Sequence, residues 1–192
     1  MTTQRTRGRT IKKQPIANLP LWIGLGVVAL IIVAVIAYAL LSASTAAAGD
    51  EKFVEEGTNH LAETERVVYA SNPPTSGNHW GRTANWGFYK TNPPADEQIV
   101  HNMEHGAVIV WFDPDLVSEE EYTQLFAIYQ KMTTDEFRTL LVARPTLERK
   151  VALTAWGVRL YLDSIDEKAI LGFQERNKLN GPECVNKNCP AM

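Results

Sequence analysis

Residues 101–112 read HNMEHGAVIVWF, a polar segment with two histidines followed by six apolar residues. A continuous apolar run such as Ala107–Phe112 is typical of a central strand that is buried on both faces. Asp113 and Pro114 end the run, because proline fixes φ and has no N–H to donate to a sheet. We therefore expect this strand to lie at the centre of the fold.

Four further elements are predicted after this strand, if the two β-prone runs on either side of Gly157 are counted as one bent strand. Ser118–Glu121 is a capping-box start followed by apolar residues at helical spacing, which predicts a helix. β-prone runs predict strands at Leu140–Ala143, Val151–Trp156 and Val158–Leu162, and a terminal helix is predicted at Asp166–Leu179. The order β-α-β-β-α predicts an α+β domain with a mixed sheet and two or three helices. It also fits the C-terminal half of a thioredoxin-like fold, although no Cys-x-x-Cys precedes the first helix.

Upstream of the central strand, residues 66–98 are rich in turn formers. The pattern Tyr-x-x-Asn-Pro-Pro occurs twice, at Tyr69–Pro74 and at Tyr89–Pro94. Since proline favours extended conformations before it, each copy predicts a short strand that ends in a rigid turn. A long ordered loop of this kind, which also carries Trp80 and Trp86, is more often functional than not.

The N-terminal part of the chain has the layout of a membrane protein. Residues 20–41 are 22 consecutive residues without a charged side chain, and about 20 apolar residues suffice for a helix to span a bilayer. Trp22 and Tyr38 lie near the two ends of this run, where aromatic side chains favour the headgroup region. Five basic residues and no acidic one precede the run, which leaves a net charge of −8 on the rest. The positive-inside rule then predicts a cytoplasmic N-terminus.

These features divide the chain into four predicted segments at the cell membrane. They are a basic cytoplasmic tail at 1–19, a transmembrane anchor at 20–42, a small-residue tether at 43–49 and an extracytoplasmic α+β domain at 50–192. A cleavable signal peptide is the alternative, since Ala46–Ala48 offers a cleavage site, but the apolar run is longer than such peptides use. Topology alone accounts for the five basic residues, so we predict no binding of nucleic acid.

The composition and motifs narrow the class of protein. A content of 45% hydrophobic and 21% charged residues excludes a disordered or collagenous chain. The sequence has no glycine-rich phosphate loop and no Gly-x-Ser-x-Gly elbow, and Ser76 near His79 lacks an assignable orienting acid. We assign no catalytic residue, and the sequence does not favour an enzyme.

The string His101-x-x-Glu104-His105 matches the signature of inverted zinc peptidases. That motif works on a long helix, in which residues i and i+4 share one face. Prolines lie close upstream and a glycine and a strand follow at once, so at most a two-turn helix fits. If the segment is extended instead, His101, Met103 and His105 share one face and Glu104 lies on the other.

In the extended form, two imidazoles and a thioether would make a soft metal site. Such a site favours copper over magnesium or calcium, although zinc accepts the same histidines. His79, which follows the turn Ser76–Asn78, and His60 can supply further ligands. The structural alternative is that the histidines hydrogen-bond to carbonyl groups beside turns and that Met103 fills the core.

Cys184 and Cys189 stand close to the C-terminus, with four residues between them. On the outer face of a membrane a disulfide is the expected state of such a pair. A redox-active or metal-binding dithiol, with Met192 as a further donor, is the alternative.

Two segments, Pro73–His79 (PPTSGNH) and His101–Gly106 (HNMEHG), resemble the hallmarks of a bacterial family of membrane-anchored proteins catalogued as a domain of unknown function. That family has Pro-Pro-Thr-Ser-Gly-x-His and His-Asn-Leu-Glu-His-Gly, so Met103 stands where leucine is usual. His60, which precedes a predicted strand at Val67–Tyr69, also resembles a family position. The resemblance covers nearly the whole outer domain. It implies that the four histidines form one constellation and that a thioether is not a general requirement.

Two functional hypotheses follow. The first is a single-pass, outward-facing protein that binds copper or zinc and delivers or buffers it for membrane enzymes. Its proposed ligands are, in order, His101 and His105, His79, His60, Met103 as an optional soft ligand, and Glu104 as a ligand or an orienting group. The second is a non-catalytic subunit or assembly factor of a membrane protein complex, with structural histidines. In that case the loop that carries Trp80 and Trp86 is the docking surface.

Overall fold

The computed structural model describes residues 23, 26–33, 49–133 and 138–190. The chain divides into two units, Met1–Ala46 and Ala47–Met192. In the first unit, residues 26–33 are helical. No helix within the described ranges is both long enough and apolar enough to cross a membrane. Most of the predicted anchor at 20–42 and the whole basic tail at 1–19 lie outside the described residues.

The second unit is built on a six-stranded mixed sheet. Its strand order is β1-β8-β7-β5-β6-β4, and a separate pair is formed by β2 and β3. The strands are β1 (Glu51–Lys52), β2 (His60–Leu61), β3 (His79–Trp80), β4 (Gly87–Tyr89), β5 (Val108–Phe112), β6 (Thr139–Ala143), β7 (Val151–Ala155) and β8 (Val158–Leu162). The helices of this unit are α1 (Asp96–Glu104), α2 (Glu119–Met132) and α3 (Glu167–Asn177). The predicted α+β class with a mixed sheet is confirmed.

Strand β5 lies inside the sheet, with β6 parallel on one side and β7 antiparallel on the other. All five of its residues are buried, as the apolar run predicted. Their side chains alternate between two apolar clusters, because successive residues of a strand point to opposite faces. Val108, Val110 and Phe112 pack with α2 and α3, whereas Ile109 and Trp111 pack with α1. Helices therefore cover both faces of the sheet, with α1 on one face and α2 and α3 on the other.

The predicted start of α2 is confirmed in atomic detail. The Ser118 hydroxyl accepts a hydrogen bond from the Glu121 amide at 3.2 Å, and the Glu121 carboxylate accepts one from the Ser118 amide at 3.0 Å. This reciprocal cap satisfies two backbone groups that a helix end leaves unpaired. The strand predicted at Val158–Leu162 is present with the same ends. The predicted strands at Leu140–Ala143 and Val151–Trp156 and the terminal helix are also present, with every end within two residues of the prediction.

The two Tyr-x-x-Asn-Pro-Pro copies do not form the same structure. The second copy was also predicted to be a short strand that ends in a turn, but only its first residue, Tyr89, belongs to a strand, β4. The strand predicted at Val67–Tyr69 is wrong, because these residues form no ladder. Glu97 accounts for this difference, since its buried carboxylate accepts the Val67 amide at 2.9 Å in place of a neighbouring strand.

Candidate metal centre

Helix α1 carries the second histidine motif. Two prolines lead into it, Asp96 and Glu97 occupy its first turn, and the Gln98 side chain accepts from the Ala95 amide at 3.4 Å. Acidic residues in the first turn are favoured by the helix dipole, which helps to explain why the segment is helical. At nine residues the helix is about two and a half turns long, slightly more than the sequence suggested.

The helical form of this segment changes which side chains share a face. His101, Glu104 and His105 are spaced i, i+3, i+4 and lie together. The extended arrangement, with Met103 beside the histidines and Glu104 opposite, is therefore wrong. Met103 is fully buried in the apolar cluster with Ile99, away from that face.

The short ladder of β2 and β3 brings in the other two histidines. Its parallel register places His60 directly opposite His79, and α1 packs against β3. The imidazole rings of His60, His79 and His101 have centroids 4.7–5.0 Å apart. His105 stacks on His101 at 4.9 Å. The four histidines thus form one cluster.

The carboxylate of Glu104 lies at the centre of this cluster. Its Oε2 is 2.9 Å from His79 Nε2, 3.2 Å from His60 Nε2 and 3.9 Å from His101 Nε2. One donor atom from each of these four residues can be chosen so that all lie within 4.8 Å of one another. The Glu104 side chain is 3% exposed, whereas that of His60 is 48% exposed. The cluster is therefore buried at Glu104 and open to solvent at His60.

The orientation of His79 is fixed by the turn before it. Its Nδ1 lies 2.8 Å from the Gly77 carbonyl, so Nδ1 carries the proton and donates it there. In a neutral ring this leaves the lone pair on Nε2, which faces Glu104. Gly77 has φ of +128°, and a Cβ there would lie 3.0 Å from the Tyr69 ring. Glycine at this place in the Pro-Pro-Thr-Ser-Gly-x-His segment is thus required by the turn.

The distances between donor atoms fit a metal ion. Bonds of about 2.0–2.1 Å in a tetrahedral shell place neighbouring donors about 3.3 Å apart. The three contacts to Glu104 Oε2, from 2.9 to 3.9 Å, bracket that value. His79 also shows the arrangement common in ligating histidines, whose second ring nitrogen donates to a carbonyl or carboxylate. These residues can therefore hold a metal ion.

The electrostatics of His101 also suit a ligand. Burial, followed by the neighbouring imidazoles of His79, His105 and His60, lowers the pKa of His101 to about 4. Burial likewise lowers the pKa of His105. Both rings are therefore neutral near pH 7, and the neutral imidazole is the form that binds metals.

A second donor group adjoins the first and shares Glu104 with it. It consists of Glu104, His105 and Glu183, whose chosen donor atoms also lie within 4.8 Å of one another. Glu183 comes from the C-terminal segment, beside the disulfide between Cys184 and Cys189. That disulfide confirms the expected pairing.

Asn102 is a functional residue that the sequence did not single out. It is fully buried, its Oδ1 accepts the Ala84 amide at 2.9 Å, and its Nδ2 donates to the Ala84 carbonyl at 3.0 Å. This pair of hydrogen bonds holds the loop that contains Ala84 against α1. The segment His-Asn-Met-Glu-His thus includes, between the candidate ligands, one residue that holds a neighbouring loop in place.

The two tryptophans of the loop have different environments. Trp80 is buried, and its Nε1 donates to the Glu65 carbonyl at 2.7 Å. Trp86 is 43% exposed, and nearby Phe88 is 55% exposed. The proposed docking surface is therefore reduced to Trp86 and its neighbour.

Comparison with known proteins gives a family without an assigned activity. The family described as Protein of unknown function (DUF3105) matches residues 60–189, about two thirds of the chain, and this range contains all four histidines, Glu104 and both cysteines. No curated protein and no solved structure matches the chain. The chain belongs to the DUF3105 family.

Proposed function

We propose that the domain binds a divalent transition metal through His60, His79, His101 and Glu104. The observation that carries this proposal is the setting of His79. This fully buried ring donates from Nδ1 to a backbone carbonyl and turns Nε2 to a buried carboxylate 2.9 Å away. Two lone-pair donors that face each other at this distance repel unless a proton or a cation lies between them. Two further imidazoles converge on the same oxygen atom, which favours the cation.

Zinc is the metal that we favour, with copper(II) second. Three imidazole nitrogens and one carboxylate oxygen suit zinc in a tetrahedral site. The special argument for copper was the thioether of Met103, and that side chain belongs to the apolar cluster under α1. The half-exposed ring of His60 provides a path by which the ion enters and leaves. Such a path suits a protein that delivers or buffers metal for membrane enzymes.

The role of Glu104 can be tested with a matched pair of buried carboxylates on one helix. Glu104→Gln removes the central charge, and we expect the zinc affinity to fall by more than roughly 100-fold, beyond the usual loss of an outer-shell partner. Glu97→Gln is the control, because Glu97 is equally buried on α1 but binds Arg66 and the Val67 amide. Zinc affinity is measured by competition with a chromogenic chelator on the full-length chain in detergent. Equal affinities of the two variants, or no zinc binding by the wild type, would contradict the proposal.

We also propose that residues 20–42 anchor the chain in the cell membrane, with residues 1–19 in the cytoplasm and 50–192 outside. The uncharged run of 22 residues and the basic block before it support this topology. The Cys184–Cys189 disulfide supports an oxidising compartment for the domain.

The strand order β8-β7-β5-β6, with α2 between the parallel strands β5 and β6, supports a thioredoxin-like architecture for the second half of the domain.

The anchor is tested by fractionating cells after a wash at high pH, which strips peripheral proteins from membranes. We expect the full-length chain to stay in the pellet and a chain that lacks residues 1–42, exported by an unrelated signal peptide, to be soluble. The mass of the purified full-length chain separates the alternatives. A mass of 21.4 kDa agrees with an uncleaved anchor, whereas a mature chain that begins near residue 49 would show a cleaved signal peptide.

The second candidate function is that of a non-catalytic subunit or assembly factor of a membrane complex. The exposed rings of Trp86 and Phe88, two positions apart in the sequence, favour it, because exposed aromatic side chains are frequent binding hot spots. We expect a stoichiometric partner to co-purify with the wild type from mild detergent and to be lost from Trp86→Ala. Val68→Ala is the control, since Val68 is an exposed apolar residue elsewhere on the domain. Purification without a partner would rule out this candidate.

A further inference from the structure

The C-terminal segment returns to the end of α1 and is held there by several contacts. The Leu179 amide donates to the Gly106 carbonyl at 2.9 Å, and the Glu183 amide donates to the Glu104 carbonyl at 3.4 Å. A Cβ on Gly106 would lie 2.8 Å from Cys184 Sγ and 2.9 Å from Cys189 Sγ, so the disulfide rests directly on this glycine. These contacts fix the position of Glu183 beside the metal centre.

His105 and Glu183 lie close together but do not form a hydrogen bond. His105 Nδ1 is 3.2 Å from Glu183 Oε2, yet among the described residues this buried nitrogen has no partner in hydrogen-bond geometry. In a hydrogen bond, the N–H direction points at the acceptor. Two ligands of one metal ion have a different geometry from a hydrogen-bonded pair. Each lone pair points at the ion, and the two ligand atoms lie side by side. A short distance without alignment therefore fits a shared cation better than a shared proton.

The surroundings of His105 support a ligand role for its Nδ1. Its side chain is only 10% exposed, so water cannot readily serve as the partner that Nδ1 lacks. Its other nitrogen, Nε2, lies 3.0 Å from His101 Nε2. A proton on Nε2 leaves the Nδ1 lone pair directed toward the second donor group of Glu104, His105 and Glu183.

We propose that this second donor group binds a second metal ion, so that the carboxylate of Glu104 bridges two ions. The inference rests on the proposed function, because Glu104 is also the central ligand of the first ion. A carboxylate has two oxygen atoms, and bridged ions in two-metal sites lie about 3.5–4 Å apart. Loading both ions breaks the contact between His101 and His105, since the His101 nitrogen then binds the first ion. The Glu183 side chain is 41% exposed, which makes the second position open to solvent.

The number of ions per chain tests the second position. The full-length chain in detergent is loaded with excess zinc, dialysed and submitted to elemental analysis. We expect two zinc ions per chain in the wild type and one in Glu183→Gln. Glu167→Gln is the control and should retain two, because Glu167 is a similarly half-exposed carboxylate that pairs with Lys131 on the other side of the sheet.

The outcomes separate this inference from the proposed function. One zinc ion in the wild type, or two in Glu183→Gln, overturns the second position and leaves the first in place. No zinc in the wild type overturns both.

Electron paramagnetic resonance of the copper(II)-loaded chain provides a second readout. We expect an isolated copper signal at one equivalent and a magnetically coupled pair at two. Two additive isolated signals would place the second ion elsewhere and overturn the bridge.

Discussion

The carboxylate of Glu104 is buried where the β2–β3 ladder and α1 bring their histidines together. A carboxylate removed from water costs several kcal/mol unless charge or hydrogen bonds compensate it. Its side chain is 3% exposed, and its near neighbours are imidazoles rather than lysine or arginine side chains. His101, whose pKa is lowered to about 4, brings no positive charge near pH 7. The divalent cation that we propose between these groups would compensate the charge of the Glu104 carboxylate.

The fold brings donors from separate parts of the chain to this carboxylate. The β2–β3 ladder supplies His60 and His79, α1 supplies His101 and His105, and the C-terminal segment supplies Glu183. The sheet provides a rigid base, because α1 packs on one of its faces against Ile109 and Trp111. Rigid elements hold ligands more precisely than loops do. The centre is therefore preorganised on one side and open on the other.

Much of the sheet could be predicted from sequence because its signals are local. The apolar run of β5 and the capping box of α2 depend on neighbouring residues alone, and both are confirmed. The arrangement of the side chains of residues 101–105 was harder to predict, because it depends on whether this short segment is helical or extended. Asp96 and Glu97, two acidic residues directly after prolines and one alanine, were the helix-start signal that decides this question.

Other features of the site could not be predicted from local patterns. Strands of two residues, such as β2 and β3, are too short to show a hydrophobic periodicity. The pairing of His60 with His79 could therefore not be predicted from the sequence. The Asn102 contact with Ala84 and the approach of Glu183 to His105 join residues 18 and 78 positions apart. The grouping of all four histidines came from the family resemblance. Met103 was predicted as an optional ligand on an extended segment. Because the segment is helical instead, its side chain packs in the apolar core.

X-ray absorption at the zinc edge of the full-length protein, loaded with one equivalent of zinc, tests directly whether the histidine cluster binds the metal. We expect a first shell of nitrogen and oxygen atoms at about 2.0–2.2 Å, with outer-shell scattering from three imidazoles. A sulfur atom at about 2.3 Å would contradict the account, because it would place a thiolate or thioether in the site. A shell of water oxygens without imidazole scattering would contradict it as well and would make the histidine cluster structural.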